Sequence, residues 1–252
     1  MTLHSSRPSD GVVLIEIDNP PANALGEAMR AQMTALLDEL EADTSVRAVV
    51  ITGRGKTFCT GDDLREAAAR GRVSPQAVAS FNAMLDRLER FRAPVIAAVN
   101  GHCVGGGLEV ALCADIRIAS TKAVFTAAGV NVGLMASAWR LPRVIGVAKA
   151  KAMLLTGLPV SAEAAMANGL VTAVHEPSVL VDEALKLAGR IASRAPLSTE
   201  ATKRVAGRAL NMTAEEADAA VMAEIEVLSA SEDHAGAVAA FANRQTPVFR
   251  RR

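Results

Sequence analysis

Short β-rich runs alternate with amphipathic stretches over the first 175 residues, and helix-forming sequence fills the remainder. That alternation predicts an α/β fold on a mostly parallel sheet with right-handed crossovers. It also predicts two parts, a core at 1–175 and a helical region at 176–252. A chain of 252 residues fits one large domain with a modest appendage. Half the residues are hydrophobic, enough for a sizeable core, which excludes wholesale disorder.

The elements follow in order. The amino terminus, MTLHSSRPSDG, reads as a polar tail. VVLIEI (12–17) is dense in β-branched residues and closes on Asp18-Asn19-Pro20, a strand ended by a turn. From Glu27 to Glu41, Met29, Met33, Leu36, Leu37 and Leu40 recur at helical spacing. VRAVVIT (46–52), ending at Gly53, is apolar enough to be buried on both faces and completes a β-α-β unit. A helix with Phe81, Leu85, Leu88 and Phe91 on one face precedes a third strand, PVIAAVN (94–100). DIRIAS (115–120) and LVTAV (170–174) are further strands. Helices are expected at 178–193, 197–210, 214–229 and 232–243, all rich in Ala, Leu, Glu and Lys. Pro196 separates the first two, and Thr213 with Glu216 forms a capping box for the third. Ala219, Val221, Met222, Ile225, Leu228, Val238 and Phe241 give the tail more apolar surface than it can hide alone, so an oligomer is expected.

Composition removes several function classes. The 27 basic and 27 acidic residues leave a net charge of +0, with no general field for nucleic acid or an anionic membrane. Aromatics are 3% with no Tyr, which argues against base-stacking platforms and sugar-binding shelves. Cys59, Cys103 and Cys113 form no CxxC pair and read as reduced thiols of a cytosolic protein. No metal-ligand spacing occurs, so no metal is expected. The most apolar stretch, PVIAAVNGHCVGGGLEVAL, is interrupted by Asn100, His102 and Glu109, and nothing resembles a secretory leader. The expectation is a soluble cytoplasmic protein with neither nucleic acid nor membrane as partner.

Two glycine clusters after strands carry the chemistry, one from Gly53 to Leu64 and one from Gly101 to Glu109. Gly55-Lys56-Thr57 matches the end of a P-loop, but Val50 stands where that loop needs its first glycine. Three consecutive glycines, Gly105 to Gly107, do not make the G-x-G-x-x-G spacing of a dinucleotide site. What remains is close backbone approach. Amide N–H groups at a helix N-terminus point outward with the positive end of the dipole behind them. Two such amides converging on one point make an oxyanion hole. Glu109, three residues after Gly106, shares that first turn and could serve as general base for a proton next to a carbonyl. Taken locally, the preferred reading is a helix N-terminal acid paired with the dipole. His102-Cys103 is no dyad, because neighbours on an extended chain face opposite ways.

These residues resemble the crotonase superfamily, the enoyl-CoA hydratase/isomerase family, along essentially the whole chain. The carrying motifs are NPPANAL (19–25), VRAVVITGRGKTFCTGDDL (46–64), PVIAAVNGHCVGGGLEVALCADIRIAS (94–120), ANGLVTAV (167–174) and AFANRQTPVF (240–249). The resemblance implies a crotonase-like spiral core of repeated ββα turns with a carboxy-terminal helical trimerisation region, giving homotrimers commonly paired into hexamers. It implies an acyl-CoA thioester as substrate, with no separate cofactor, whose carbonyl oxygen is held by the backbone N–H groups of Asp62 and Gly106. Lys56, Thr60, Asp63 and Leu64 match positions lining the CoA path, and Ala22 and Ala24 match another wall of it. Arg244 matches a basic position that reaches the nucleotide of a neighbouring subunit's ligand.

Departures from the family pattern bear on the reaction. Glu109 keeps the first glutamate of the hydratase pair, but Gly129 occupies the second glutamate's position in Phe125-Thr126-Ala127-Ala128-Gly129-Val130. The glycine-rich loop that should follow is shortened to Leu134-Met135-Ala136-Ser137-Ala138-Trp139-Arg140, where Trp139 reads as a packing residue over the site or a subunit face. With Glu109 the sole family acid/base, double-bond isomerisation is expected over efficient hydration; the alternative is a non-catalytic or weakly active acyl-CoA binding protein. Gly129 is expected to leave open space, so Gly129→Glu should raise hydration. The Asp62 side chain is expected to face solvent or cap the following helix. Acyl-chain preference falls to the segment from Arg65 to Phe91, which carries no readable motif.

Overall fold

The computed structural model describes residues 2–71 and 75–252. Residues 72–74, within the segment expected to set acyl preference, lie outside the described residues. Two sheets lie at the centre. Strands β1 (Thr2–Ser9), β2 (Val12–Asp18), β3 (Ala48–Gly53), β5 (Val95–Val99), β7 (Ile116–Ser120) and β10 (Ala173–His175) form the larger, paired in that order. The smaller runs β4 (Thr57–Cys59), β6 (His102–Val104), β8 (Val124–Thr126) and β9 (Val160–Ser161). Within the larger sheet β2, β3, β5, β7 and β10 pair in parallel, as the alternation predicts. The strands β3, β5 and β7 are each followed by a three-residue partner in the second sheet, β4, β6 and β8, and then by a helical segment, which makes the ββα turn. In contrast, β2 leads directly into a helix.

Between β2 and β3 runs α1 (Glu27–Ala42), its stripe of Met29, Met33, Leu37 and Leu40 buried. Next come α2 (Leu64–Arg70) and α3 (Pro75–Glu89), the latter burying Met84, Leu85 and Leu88. The short α4 (Gly106–Cys113) is buried along most of its length. Continuing, α5 (Arg140–Ile145), α6 (Val147–Thr156) and α7 (Ala162–Asn168) precede α8 (Leu180–Ala192), α9 (Pro196–Ala206), α10 (Ala214–Ser229) and α11 (Glu232–Ala242). One core joins a face of the large sheet to α1, α3 and α4. The other face is covered by α8, whose Leu180, Ala184, Ala188 and Ala192 pack on Val50, Ile96, Ala98 and Ile118. Small residues at four-residue intervals let that helix approach the sheet closely. Thr213 and Glu216 complete the expected capping box.

The amino terminus differs from expectation. It is not a loose tail but an antiparallel partner of β2, joined by a two-residue turn at Asp10-Gly11, with Gly11 at φ 74°. Its polar residues face outward, and His4 meets Asp18 while Arg7 meets Asp43. LVTAV is also shifted: Leu170 and Val171 are buried outside any strand, and pairing begins at Ala173. Among the described residues, no helix is long and apolar enough to cross a membrane.

Candidate active site

The parallel pairing of β4 with β6, and of β6 with β8, sets three turns side by side. They carry Gly61, Gly105-Gly106 and Ala128-Gly129. A β-carbon built on Gly61 would lie 2.4 Å from Gly106 N, and one on Gly106 would lie 2.9 Å from Gly61 Cα. The two backbones are in contact, and Gly61 sits at φ 82°, a conformation that only glycine adopts cheaply. The two expected glycine clusters therefore meet at one point, with Asp62 and Gly106 following directly. Gly106 opens α4, where amides have no intrahelical acceptor. Glu109 stands in the first turn of the same helix.

Glu109 is held from two sides. The Ser137 N–H donates to its Oε1, and Arg140 Nη1 donates to its Oε2 at 3.2 Å. Arg140 also donates to Glu89 Oε2 at 2.8 Å and to Asp86 Oδ1 at 3.3 Å, so one guanidinium gathers three carboxylates. The Ser137 residue is 2% exposed, at φ 59°. Neither Ser137 nor Arg140 is reachable from spacing alone, because a shortened loop delivers them. Arg143 and Arg140 stack on the Trp139 ring at 4.6 and 5.7 Å. Trp139 itself is 56% exposed, so within one chain it is not buried over the site, and of the two expected placements the subunit face remains.

Gly129 is not an open vacancy. A β-carbon there would meet Ala136 N at 2.8 Å, Leu134 O at 3.0 Å and the Met135 carbonyl carbon at 3.2 Å. The shortened loop folds back over Gly129, fixed by Leu134 N–H to Gly129 O at 2.8 Å. The backbone from Leu134 to Ala136 occupies the space beside Gly129.

The Asp62 side chain also departs from expectation. Its Oδ1 accepts from Arg30 Nη1 at 2.6 Å, so it does not simply face water. Asp63 is the cap of α2, accepting from Arg65 N–H at 2.8 Å. Arg30 is 2% exposed beneath this turn and also donates to Leu25 O at 2.8 Å, while Leu25 N–H reaches Gly61 O at 2.7 Å. Phe81 covers Gly106 and lies 5.9 Å from the Arg30 guanidinium. An arginine beside the buried stripe of α1 is the only signal that could have exposed it.

The remaining expected residues divide into two groups. Thr60 donates through its Oγ1 to Ala22 O at 3.1 Å, so the first turn and the early PPANAL turn share a wall, on which Ala24 is buried. Lys56 and Leu64 are exposed on the same stretch. Arg244 lies elsewhere in the fold, exposed after α11, with its N–H bonded to Phe241 O within the tail. Cys103 is buried while His102 is exposed, and burial pushes the Cys103 thiol pKa up, so they form no dyad. Burial likewise lifts the Cys59 thiol to about 12. Among the described residues no group of three or more His, Cys, Asp or Glu could hold a metal.

A core of ββα turns, two sheets and a pair of touching glycine turns beside a partly buried glutamate defines a class of protein, and sequence comparison agrees with it. The family described as Enoyl-CoA hydratase/isomerase matches residues 7–252, and the chain belongs to that family. It is 38% identical over 248 residues to the (E)-benzylidenesuccinyl-CoA hydratase of Thauera aromatica, covering 96% of each chain. It is 34% identical over 243 residues to the short-chain-enoyl-CoA hydratase of Clostridium acetobutylicum, covering 93% of this chain and 92% of the relative. The crystal structure of enoyl-CoA hydratase from Bacillus anthracis superposes with a TM-score of 0.95 at 28% identity, covering all of both chains.

Proposed function

We propose that this protein is an enzyme that binds an enoyl-CoA thioester, polarises its carbonyl between the Asp62 and Gly106 amides, and moves protons with Glu109. The observation that carries this reading is the contact of Gly61 with Gly106, one helical turn from Glu109. Hydrogen bonds aimed at a developing enolate are worth most where water is excluded. The thioester is the substrate and no further cofactor takes part. Ala22, Ala24, Lys56, Thr60, Asp63 and Leu64 line the CoA path, and Arg244 reaches a ligand on a neighbouring subunit of a trimer or hexamer.

One carboxylate suffices to shift a double bond, because the proton it removes from one carbon it returns to another two atoms away. Isomerisation is thus the reaction that the count of carboxylates favours. Hydration is the second reading, supported by the hydratase names of the relatives. It asks for a polar group besides Glu109 to orient water. Glu109→Gln should cut turnover by about 10²–10⁴; unchanged turnover on 2-enoyl and 3-enoyl thioesters would remove Glu109 from the mechanism. A wild-type protein that binds saturated acyl-CoA and turns over no enoyl-CoA would instead be a binding protein.

A further inference from the structure

Arg30 touches the supports of both glycine turns. Its guanidinium is buried, and Nε has no hydrogen-bond partner among the described residues. A buried cation with an unpaired N–H costs stability, and such a group in a folded protein asks for a role. Its Nη1 donates to Asp62 Oδ1 at 2.6 Å and to Leu25 O at 2.8 Å, which commits both hydrogens of that nitrogen. The guanidinium also lies 5.9 Å from the centre of the Phe81 ring, and that ring would lie 2.6 Å from a β-carbon built on Gly106.

These contacts bear on the direction of one N–H group. The Gly61–Asp62 peptide is trans, so its carbonyl and its N–H point in opposite directions. Leu25 N–H donates to Gly61 O at 2.7 Å, and that bond sets where the Asp62 N–H points. The preceding amide is also held, with Gly61 N–H donating to Cys59 Sγ at 3.3 Å. Gly61 restrains the turn little by itself, since a residue without a β-carbon reaches many conformations. The orientation therefore comes from the neighbours. Arg30 holds Leu25 by its carbonyl and Asp62 by its side chain, one on each side of the bond to Gly61 O.

We infer that Arg30 is a positioning residue for the amide pair, aiming the Asp62 N–H through Leu25 and Asp62 and steadying Gly106 through Phe81. The inference rests on the two-amide reading above. Arg30 is buried and does not touch substrate; it acts on the direction of a donor. A donor turned away from the developing oxyanion loses most of its effect.

The test compares wild type with Arg30→Met and Arg30→Lys. The Asp62 carboxylate reaches solvent, so Arg30→Met leaves no charge buried and should fold. Arg30→Lys keeps the charge without the planar fork. Butyryl-CoA and octanoyl-CoA carrying carbon-13 at the carbonyl are bound to each protein, and infrared difference spectra record the carbonyl stretch. Deuterium uptake at C2 in D₂O is measured at saturation, and calorimetry gives the affinity. Wild type should lower the stretch relative to free thioester. In Arg30→Met the stretch should move back toward the free value, and exchange should fall roughly ten- to a hundredfold at little-changed affinity. Arg30→Lys should lie between the two, and it decides on the same readouts if Arg30→Met does not fold. A folded variant with wild-type exchange and stretch would overturn the role of Arg30. So would slower exchange with an unmoved stretch, the mark of a merely structural residue. Either result leaves the two-amide reading intact. A wild-type stretch equal to that of free thioester would remove that reading, and this inference with it.

Discussion

Arg30 and Asp62 show how a single side-chain pair supports the turn on which the chemistry depends. A guanidinium 2% exposed must be compensated, and it is, by Asp62 Oδ1 and Leu25 O. The carboxylate side of the pair is 41% exposed, so the arrangement is lopsided. Removing the acid strands a buried cation, whereas removing the cation leaves an acid that water can reach. Asp62→Ala should therefore lower stability by about 2 kcal/mol, somewhat under the cost of breaking a fully buried pair. Adding Arg30→Met should restore part of that loss. Denaturant unfolding of the two variants measures it, and an Asp62→Ala protein as stable as wild type would refute the pairing. At this scale the sequence was legible for Gly61, Gly106 and Glu109, whose spacing after strands has a mechanical meaning. It was silent on Arg30, Ser137 and Arg140, because the carboxylates they meet lie 28 to 54 residues away in the chain.

The decisive element is the loop from Leu134 to Ser137. The strands and long helices could be read from periodicity, and most did form where expected. The second sheet could not, since three-residue strands are too short to show alternation. The hairpin at the amino terminus did carry a signal, Asp10-Gly11, which is a turn pair of the kind that joins antiparallel strands. The loop had none, because the path of a shortened connection depends on what it packs against. Its backbone fills the space before Gly129, which reverses the expectation for restoring the acid. Gly129→Glu should now cost about 1–3 kcal/mol by overpacking against backbone that cannot rotate away. It should not raise hydration. Thermal unfolding alongside a crotonyl-CoA hydration assay checks both halves, and a stable variant with faster hydration would show the loop to be movable.

For the molecule as a whole, the tail is what a single chain leaves unfinished. Helix α10 buries none of its residues, and Met222, Ile225, Val238 and Phe241 are exposed, Phe241 at 87%. Exposed apolar side chains of this kind are what the proposed trimer or hexamer would cover. A groove of about 1700 Å³ also runs between core and tail, lined in part by Glu89, Trp139, Arg140, Glu200 and Glu224, and Gly61, Gly106, Glu109 and Gly129 are not in its lining. The composition anticipated such surface, though not the groove. Light scattering at micromolar concentration should give three or six times the 26.2 kDa chain mass, and Phe241→Lys should lower it. A monodisperse wild-type monomer would contradict the assembly and detach Arg244 from any neighbouring site.

The central claim, that Glu109 beside the Asp62–Gly106 amide pair exchanges protons at the α-carbon of an acyl-CoA, is tested most directly without any choice between isomerisation and hydration. Saturated acyl-CoAs of several chain lengths are incubated in D₂O with wild type and with Glu109→Gln, and deuterium at C2 is followed by mass spectrometry while calorimetry records binding. Wild type should exchange the α-protons, and Glu109→Gln should exchange them about 10²–10⁴ times more slowly at little-changed affinity. Equal exchange by the two proteins, or tight binding by wild type with no exchange, would contradict the claim.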